Sequence, residues 1–370
     1  MRQTRRSLLK SASGFLITGG IAACAPNAPG AEATTRARRL MINGNMVIAF
    51  DGEGQMSDGL KSKIRESGLS AIKISMGGSG GNYAETLEEL AAYDAAMADN
   101  ADILRPINSV DDIDEAYASQ RLGIIKSFEA ATMHDGQPAR IAEFAAQGVR
   151  VMQLGYNTTS PFGAGVMSVD GPLGLSDLGR EAVTVMQENG VLLDLSHAHE
   201  QTMFGAIETA TRPVAVTHSG CAGVYQHQRN KSDEALKSVA DTGGVVGIYE
   251  LSYLTPDDEQ TPLSAYIAHL SHALKVCGED HVGIGSDAVL PAFDVNPESI
   301  AQWNAVNAAR KEAGIAAPGE GPMPFVVGLN GPQRMHVIAD ELKKLGYAEG
   351  AIDKVMGLNF KRVFSDTWNV

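Results

Sequence analysis

The 370-residue chain has only three cysteines: Cys24, Cys221 and Cys277. Two of them lie beyond the N-terminal segment, so at most one bridge can form there and no disulfide framework is implied. Positive charge is also scarce, because the formal net charge is −14 at pH 7, which argues against nucleic acid as a partner. Beyond that segment no run approaches the ~20 apolar residues that a transmembrane helix needs.

The first residues predict an export signal, and we do not expect them to belong to the folded domain. Residues 4–10, Thr-Arg-Arg-Ser-Leu-Leu-Lys, form a twin-arginine pattern, and the apolar segment 14–23 follows. Ile21-Ala22-Ala23-Cys24 resembles the lipobox of bacterial lipoproteins. We therefore expect a signal over 1–23, an acylated Cys24 and a tether over 24–39. The protein would reside in the periplasm or cell envelope and meet the membrane only through this lipid anchor. The alternative is a plain cleaved twin-arginine signal with a chance cysteine.

Residues 40–370 show the alternation of apolar runs and helical patterns that predicts a parallel sheet. Eight runs fit a single (β/α)8 TIM barrel, at 40–45, 71–75, 123–129, 149–156, 191–197, 213–218, 244–250 and 282–287. Helical patterns fall at 57–67, 84–98, 110–119, 138–147, 176–188, 199–210, 232–241 and 262–276, with two more helices over 331–365. A ninth apolar run at 103–107 leaves a doubly wound open sheet as the alternative.

Polar residues stand at the carboxyl ends of most of these runs, where barrel enzymes carry their catalytic groups. The residues are Asn45, Glu129, Tyr156, His197, His218 and Asp287. Two imidazoles and two carboxylates, each from a different strand, form a nitrogen and oxygen ligand set that suits Zn²⁺, with Mn, Fe or Co as alternatives. The competing interpretation is a pair of hydrogen-bonded core histidines.

Several motifs in order resemble the membrane dipeptidase (renal dipeptidase) family, a zinc peptidase family among the amidohydrolase-type barrels. They include Asp194-Leu195-Ser196-His197, Thr217-His218-Ser219, Arg229-Asn230 and the run 283–287, Gly-Ile-Gly-Ser-Asp. The resemblance covers about residues 42–365. It implies two zinc ions bridged by Glu129, with the second ion also held by His197 and His218. It further implies that Asp287 handles the catalytic proton, that Arg229 binds a substrate carboxylate and that homodimers occur.

Two stretches depart from the family pattern. The family's first strand ends in Asp-Gly-His-Asn-Asp, whose His and last Asp bind the first zinc, whereas this chain has Asn45 and Val47 at those positions. Tyr156 stands where the family has a histidine that contacts the substrate carbonyl; a phenol can donate a hydrogen bond there.

The sequence therefore favours a metal-dependent hydrolase that cleaves a dipeptide or related small amide, with one zinc ion favoured and two not excluded. One metal with three protein ligands and an open position can suffice for hydrolysis. The alternatives are a one-metal amidohydrolase acting on a non-peptide amide or lactone, and a non-catalytic barrel lipoprotein that serves as a binding module.

Overall fold

The computed structural model describes residues 38–48, 54–77, 81–256 and 260–370. The predicted signal, Cys24 and nearly all of the predicted tether lie outside these residues. Eleven strands are present in the described part of the chain: β1 Ile42–Asn43, β2 Met46–Ile48, β3 Ala71–Met76, β4 Leu104–Pro106, β5 Leu122–Phe128, β6 Val149–Gln153, β7 Leu192–Asp194, β8 Ala215–Ser219, β9 Val245–Ile248, β10 Val282–Ile284 and β11 Ala288–Leu290.

Eight of these strands close a parallel barrel, in the order β3, β1, β10, β9, β8, β7, β6, β5 and back to β3. The pair that closes the ring runs the full length of β3, from Ala71 opposite Gly123 to Met76 opposite Phe128. The ninth predicted strand exists as β4, but it pairs only with the first half of β5 and lies outside the ring. The fold is therefore a (β/α)8 TIM barrel, and the open-sheet alternative is wrong.

Helices follow most strands, as the sequence pattern predicts. Their bounds are α1 Asp58–Ser67, α2 Tyr83–Asp99, α3 Val110–Ser119, α4 Ala139–Ala146, α5 Asp177–Glu188, α6 Glu200–Thr209, α7 Asp233–Asp241, α8 Leu263–Cys277, α9 Pro297–Glu312, α10 Arg334–Lys344, α11 Glu349–Asp353 and α12 Asn359–Trp368, with a π-helical segment at Lys354–Leu358. Side-chain caps begin many of them; Ser57, Ser176 and Ser232 each accept a backbone N–H of the first turn. In the described part of the chain, no helix has both the length and the apolar character that crossing a membrane requires.

The last helix closes one end of the barrel. Phe360, Val363 and Phe364 of α12 are fully buried, and they pack with strand residues such as Val151 and Leu192. A Cβ at Gly44 would lie 2.2 Å from the Phe360 ring. Because Gly44 has no side chain, the Phe360 ring can pack against the barrel at this position.

Two features near the opposite rim were absent from the sequence prediction. A small second sheet pairs β2 with β11, with Val47 opposite Val289. Helix α9 begins at the Asn296 cap with Pro297 in its first turn. Both elements contribute walls to the cleft described next.

Candidate active site

The predicted site residues meet at the rim formed by the carboxyl ends of the strands. Glu129 directly follows β5, His218 lies within β8, and Asp287 directly precedes β11. Tyr156 and His197 lie in the turns beyond β6 and β7, because these strands end earlier than predicted. Glu129, His197 and His218 each present a ligand atom, and the three atoms lie within 4.8 Å of one another.

The two histidines face each other through their Nε2 atoms, which are 3.1 Å apart. Nδ1 of His197 lies 2.7 Å from the Asn157 Oδ1 acceptor. Nδ1 of His218 lies 3.0 Å from Thr217 Oγ1, whose own proton is donated to Asp194 Oδ2 at 2.6 Å. Both Nδ1 atoms therefore carry the ring proton, and both Nε2 atoms present lone pairs.

This arrangement fits a metal ion. Two ligand atoms of one ion, each about 2.1 Å from it, can be at most about 4 Å apart. Two lone pairs at the observed 3.1 Å repel each other unless a cation or a donor lies between them. Burial, followed by the charge of Arg229, lowers the pKa of His197 and His218 well below the usual range. The rings are therefore neutral, which is the form that binds metal.

Asp194 fixes the surroundings of this histidine pair. Its Oδ1 accepts from the Ser196 amide, the Ser196 hydroxyl and the Thr217 amide, at 3.1, 2.5 and 3.0 Å. Its Oδ2 accepts from Thr217 Oγ1 and from Gln153 Nε2 at 3.1 Å. Because Thr217 in turn accepts from His218, the buried carboxylate orients a candidate ligand indirectly, as outer partners of metal-bound histidines do.

The position beside Glu129 does not fit a second metal. Asn45 Nδ2 donates at 2.8 Å both to Glu129 Oε1 and to Asp287 Oδ1, so a neutral amide bridges the two carboxylates. Val47 lies in β2 and lines the cleft with an apolar side chain. The Asn45 amide already donates to two acceptors, and the Val47 side chain is apolar. Neither residue supplies a ligand like the histidine and aspartate that the family has at these positions.

Asp287 is a partly buried carboxyl group at one end of this bridge. Burial, and then the charge of Glu129, raises the pKa of Asp287 to about 7. Its φ of 53° places the residue in the left-handed region, and its amide donates to the Asn45 carbonyl at 2.8 Å. The backbone therefore fixes the direction in which this carboxyl group enters the site.

Arg229 reaches the histidine pair from the loop after β8. Its Nη1 donates to the Ser196 carbonyl at 2.7 Å, and its Nη2 donates to His197 Nε2 at 3.1 Å. The side chain is buried yet contributes to the wall of the cleft. The guanidinium thus contacts the same lone pair that a metal would use.

Tyr156 covers His197 with its ring, at a centroid distance of 4.2 Å. Its hydroxyl accepts from Arg310 Nη2 at 3.3 Å, and Arg310 forms an ion pair with Glu320. Tyr253 donates to the same glutamate at 3.1 Å. Helix α9 therefore supports the phenol that faces the site.

The cleft above these groups has a volume of about 240 Å³. Much of its wall is apolar and comes from β2, from the loops after β9 and β11 and from helix α9: Val47, Ile48, Leu251, Phe293, Trp303 and Val306. The site can thus receive a small molecule with an apolar portion beside the polar centre.

The sequence prediction missed several residues of this site. Three of them contact residues that it did identify: Asn157, Thr217 and Arg310 contact His197, His218 and Tyr156, respectively. The sequence order gives no sign of these contacts. Lys73 is different, because a lysine inside the apolar strand β3 is itself a signal. The side chain is buried and its Nζ lies 3.6 Å from Glu129 Oε1.

Comparisons with known proteins place the chain in a family. The sequence model of the membrane dipeptidase family, Peptidase family M19, matches residues 35–311. An uncharacterized protein in the pqqA 5′ region of Klebsiella pneumoniae is 29% identical over 290 residues, which span 76% of this chain and 95% of that protein.

Solved structures are similar as well. An amidohydrolase from Pseudomonas aeruginosa has 28% identity and a TM-score of 0.77, with 90% of this chain and 97% of that chain covered. A metallo peptidase from Rhodobacter sphaeroides, liganded with a phosphinate mimic of the dipeptide L-Ala-D-Ala, has 16% identity and a TM-score of 0.69. That alignment covers 90% of this chain and 100% of the peptidase chain, and it shows a shared fold.

Proposed function

Because the chain belongs to the membrane dipeptidase family, peptidase family M19, and is thus a metallo-dipeptidase-like hydrolase, we propose that it hydrolyses a dipeptide or related small amide with one divalent metal. Glu129, His197 and His218 would hold the ion, and Zn²⁺ suits this ligand set. The facing Nε2 lone pairs, 3.1 Å apart with both Nδ1 protons donated outward, are the observation that carries the proposal.

The residues around the proposed metal site have separate roles in the reaction. When bound, the metal supplies Lewis acidity, which makes water nucleophilic near neutral pH. Asp287, with a pKa raised to about 7, is suited to take a proton from that water and return it to the leaving amine. Asn45 holds Asp287 Oδ1, so Oδ2 is the oxygen proposed to carry the proton.

Substrate would be held by Arg229 and Tyr156. Arg229 Nη2 contacts the His197 Nε2 lone pair that a metal would use, so with the metal held there this N–H would be free to bind a substrate carboxylate. The Tyr156 hydroxyl accepts from Arg310, so its own proton is available to a developing oxyanion. We propose that substrate binding by Arg229 and Tyr156 places the scissile amide between Tyr156 and Asp287.

A second candidate is hydrolysis of a non-peptide amide or lactone at the same single metal. The apolar wall formed by Val47, Trp303 and Val306 favours it, because such a wall binds an uncharged acyl group. The phosphinate mimic bound to the peptidase of similar fold makes dipeptides the first substrates to test.

The proposal is tested by metal analysis followed by an activity screen. The purified protein should hold about one equivalent of Zn²⁺ and hydrolyse at least one member of a panel of dipeptides, acyl-amino acids and lactones. His218→Ala should lose both metal and activity. The matched control is His272→Ala, which removes a histidine that contacts Asp233 away from the cleft and should keep both. A protein that binds no metal would contradict the proposal and favour a binding module.

We also propose that the protein is exported and anchored at Cys24, from the twin-arginine pattern and the lipobox-like residues before that cysteine. Expression with a radiolabelled fatty acid should label the unmodified protein, whereas Cys24→Ser should be unlabelled and released in soluble form. Equal labelling of both proteins would refute acylation at Cys24.

A further inference from the structure

Lys73 is a buried cation for which the reaction proposed above has no role. It lies in the middle of β3, between Ile72 and Ile74, and is fully buried. Its Nζ lies 3.6 Å from Glu129 Oε1 and 3.7 Å from Asp194 Oδ2. It makes no direct hydrogen bond to a described residue. Burying a charge is costly unless opposite charge compensates it.

The two oxygens of Glu129 therefore have different surroundings. Oε1 accepts from Asn45 Nδ2 at 2.8 Å and also faces the Lys73 ammonium. This leaves Oε2 as the oxygen available to a metal at His197 and His218. A second divalent ion at Oε1 would have to approach a fixed positive charge in a poorly solvated interior, where like charges repel strongly.

We propose that Lys73 is a built-in cation that takes the place of a second metal ion beside Glu129. Its charge compensates the carboxylates of Glu129 and Asp194, and it restricts the barrel to one metal on the histidine side. Lys73 is thus a positioning residue that acts through Glu129. This inference rests on the proposed one-metal function and adds a second reason, beside the missing ligands, why the site holds only one ion.

The proposal is distinguished from simple ligand loss by restoring the missing ligands. The double substitution Asn45→His and Val47→Asp would supply an imidazole and a carboxylate on the side of Asp287. We would combine it with unchanged Lys73, with the neutral Lys73→Gln or Lys73→Met, and with Lys73→Arg, which keeps the charge. Each protein is stripped with a chelator, equilibrated with Zn²⁺ and desalted. Zinc per chain is then measured by plasma mass spectrometry.

The ligand-restored protein with Lys73 should still hold one zinc, and so should its Lys73→Arg form. The ligand-restored proteins with Lys73→Gln or Lys73→Met should hold two. Folding is verified by a cooperative thermal transition and by retention of the first zinc; either neutral variant that meets both criteria suffices.

Two results would overturn the role of Lys73 alone: two zinc ions in the ligand-restored protein that keeps Lys73, or one zinc in its folded neutral forms. The second result would assign Lys73 a purely structural role. Absence of zinc from the unmodified protein would instead overturn the proposed function, and this inference with it.

Discussion

Removing the Thr217 hydroxyl should weaken metal binding although Thr217 is not a proposed ligand. In Thr217→Val, the His218 Nδ1 proton loses its acceptor at 3.0 Å, and Asp194 Oδ2 loses one of its two donors, the one at 2.6 Å. Losing such an outer partner of a ligating histidine typically reduces metal affinity by about 10- to 100-fold. His218 is fully buried, and an unsatisfied buried donor costs about 1–3 kcal/mol of folding stability.

A second buried threonine provides the matched control. Thr202 Oγ1 contacts the carbonyls of Ala164 and Leu173, both at 3.0 Å, and touches none of the proposed ligands. Thr202→Val should therefore lower the free energy of unfolding by a similar amount, about 1–3 kcal/mol, with no change in zinc affinity.

The assay is competition for Zn²⁺ against a chromophoric chelator, together with urea unfolding of the metal-free proteins. A weaker zinc affinity in Thr217→Val alone, at comparable loss of stability, supports the orienting contact. Equal zinc affinity in the two variants would refute the reasoning, because the effect of Thr217 would then be limited to stability.

Three further predictions follow from the same geometry. Asp287→Asn should reduce turnover by about 100- to 10,000-fold, the usual contribution of a general base, while zinc content measured by mass spectrometry stays unchanged; a fall in zinc would instead make Asp287 a ligand. Trp303→Ala should raise KM for substrates with an apolar acyl group more than for Gly-Gly, measured by initial rates, because it removes part of the apolar wall; equal changes would argue against that wall as a binding surface. Burial lowers the pKa of His134 to about 4, so the unfolded chain takes up its proton first and stability falls as the pH drops from about 6.5 to 4, by about 3 kcal/mol at 1.36 kcal/mol per pKa unit. His134→Leu should remove that part of the acid sensitivity in urea unfolding at pH 7 and 4.5, and an unchanged pH dependence would refute the assignment.

The barrel could be predicted because its strands are short, apolar and regularly spaced. Each histidine follows or ends such a run, and parallel strands place their carboxyl ends on one rim. The position of His197 was less predictable. Strand β7 ends at Asp194, although the predicted run continues to residue 197. The chain turns there because the Asp194 carboxylate accepts hydrogen bonds from the Ser196 amide and hydroxyl.

Helix α9 was missed because it buries little of its surface, although its Trp303 and Val306 line the cleft. Ser299 is its one buried residue among those described, so the periodic signal of a packed helix is absent. The Asn296 cap with Pro297 in the first turn is a helix-start signal that could have identified it. Its placement over Tyr156 depends on contacts between distant parts of the chain, such as that of Arg310 with Glu320, which local patterns do not contain.

The two sides of Glu129 differ in the kind of interaction that each can support. On the histidine side, Asn157 and Thr217 hold both Nδ1 protons, so Nε2 lone pairs remain for a metal. On the other side, an amide and an ammonium, from Asn45 and Lys73, occupy the carboxylate oxygen. A donor group and a cation satisfy a carboxylate as a metal does, but neither provides Lewis acidity. Under the proposed one-metal function, these contacts hold Glu129 oriented at this rim and leave one face of its carboxylate for hydrolytic chemistry.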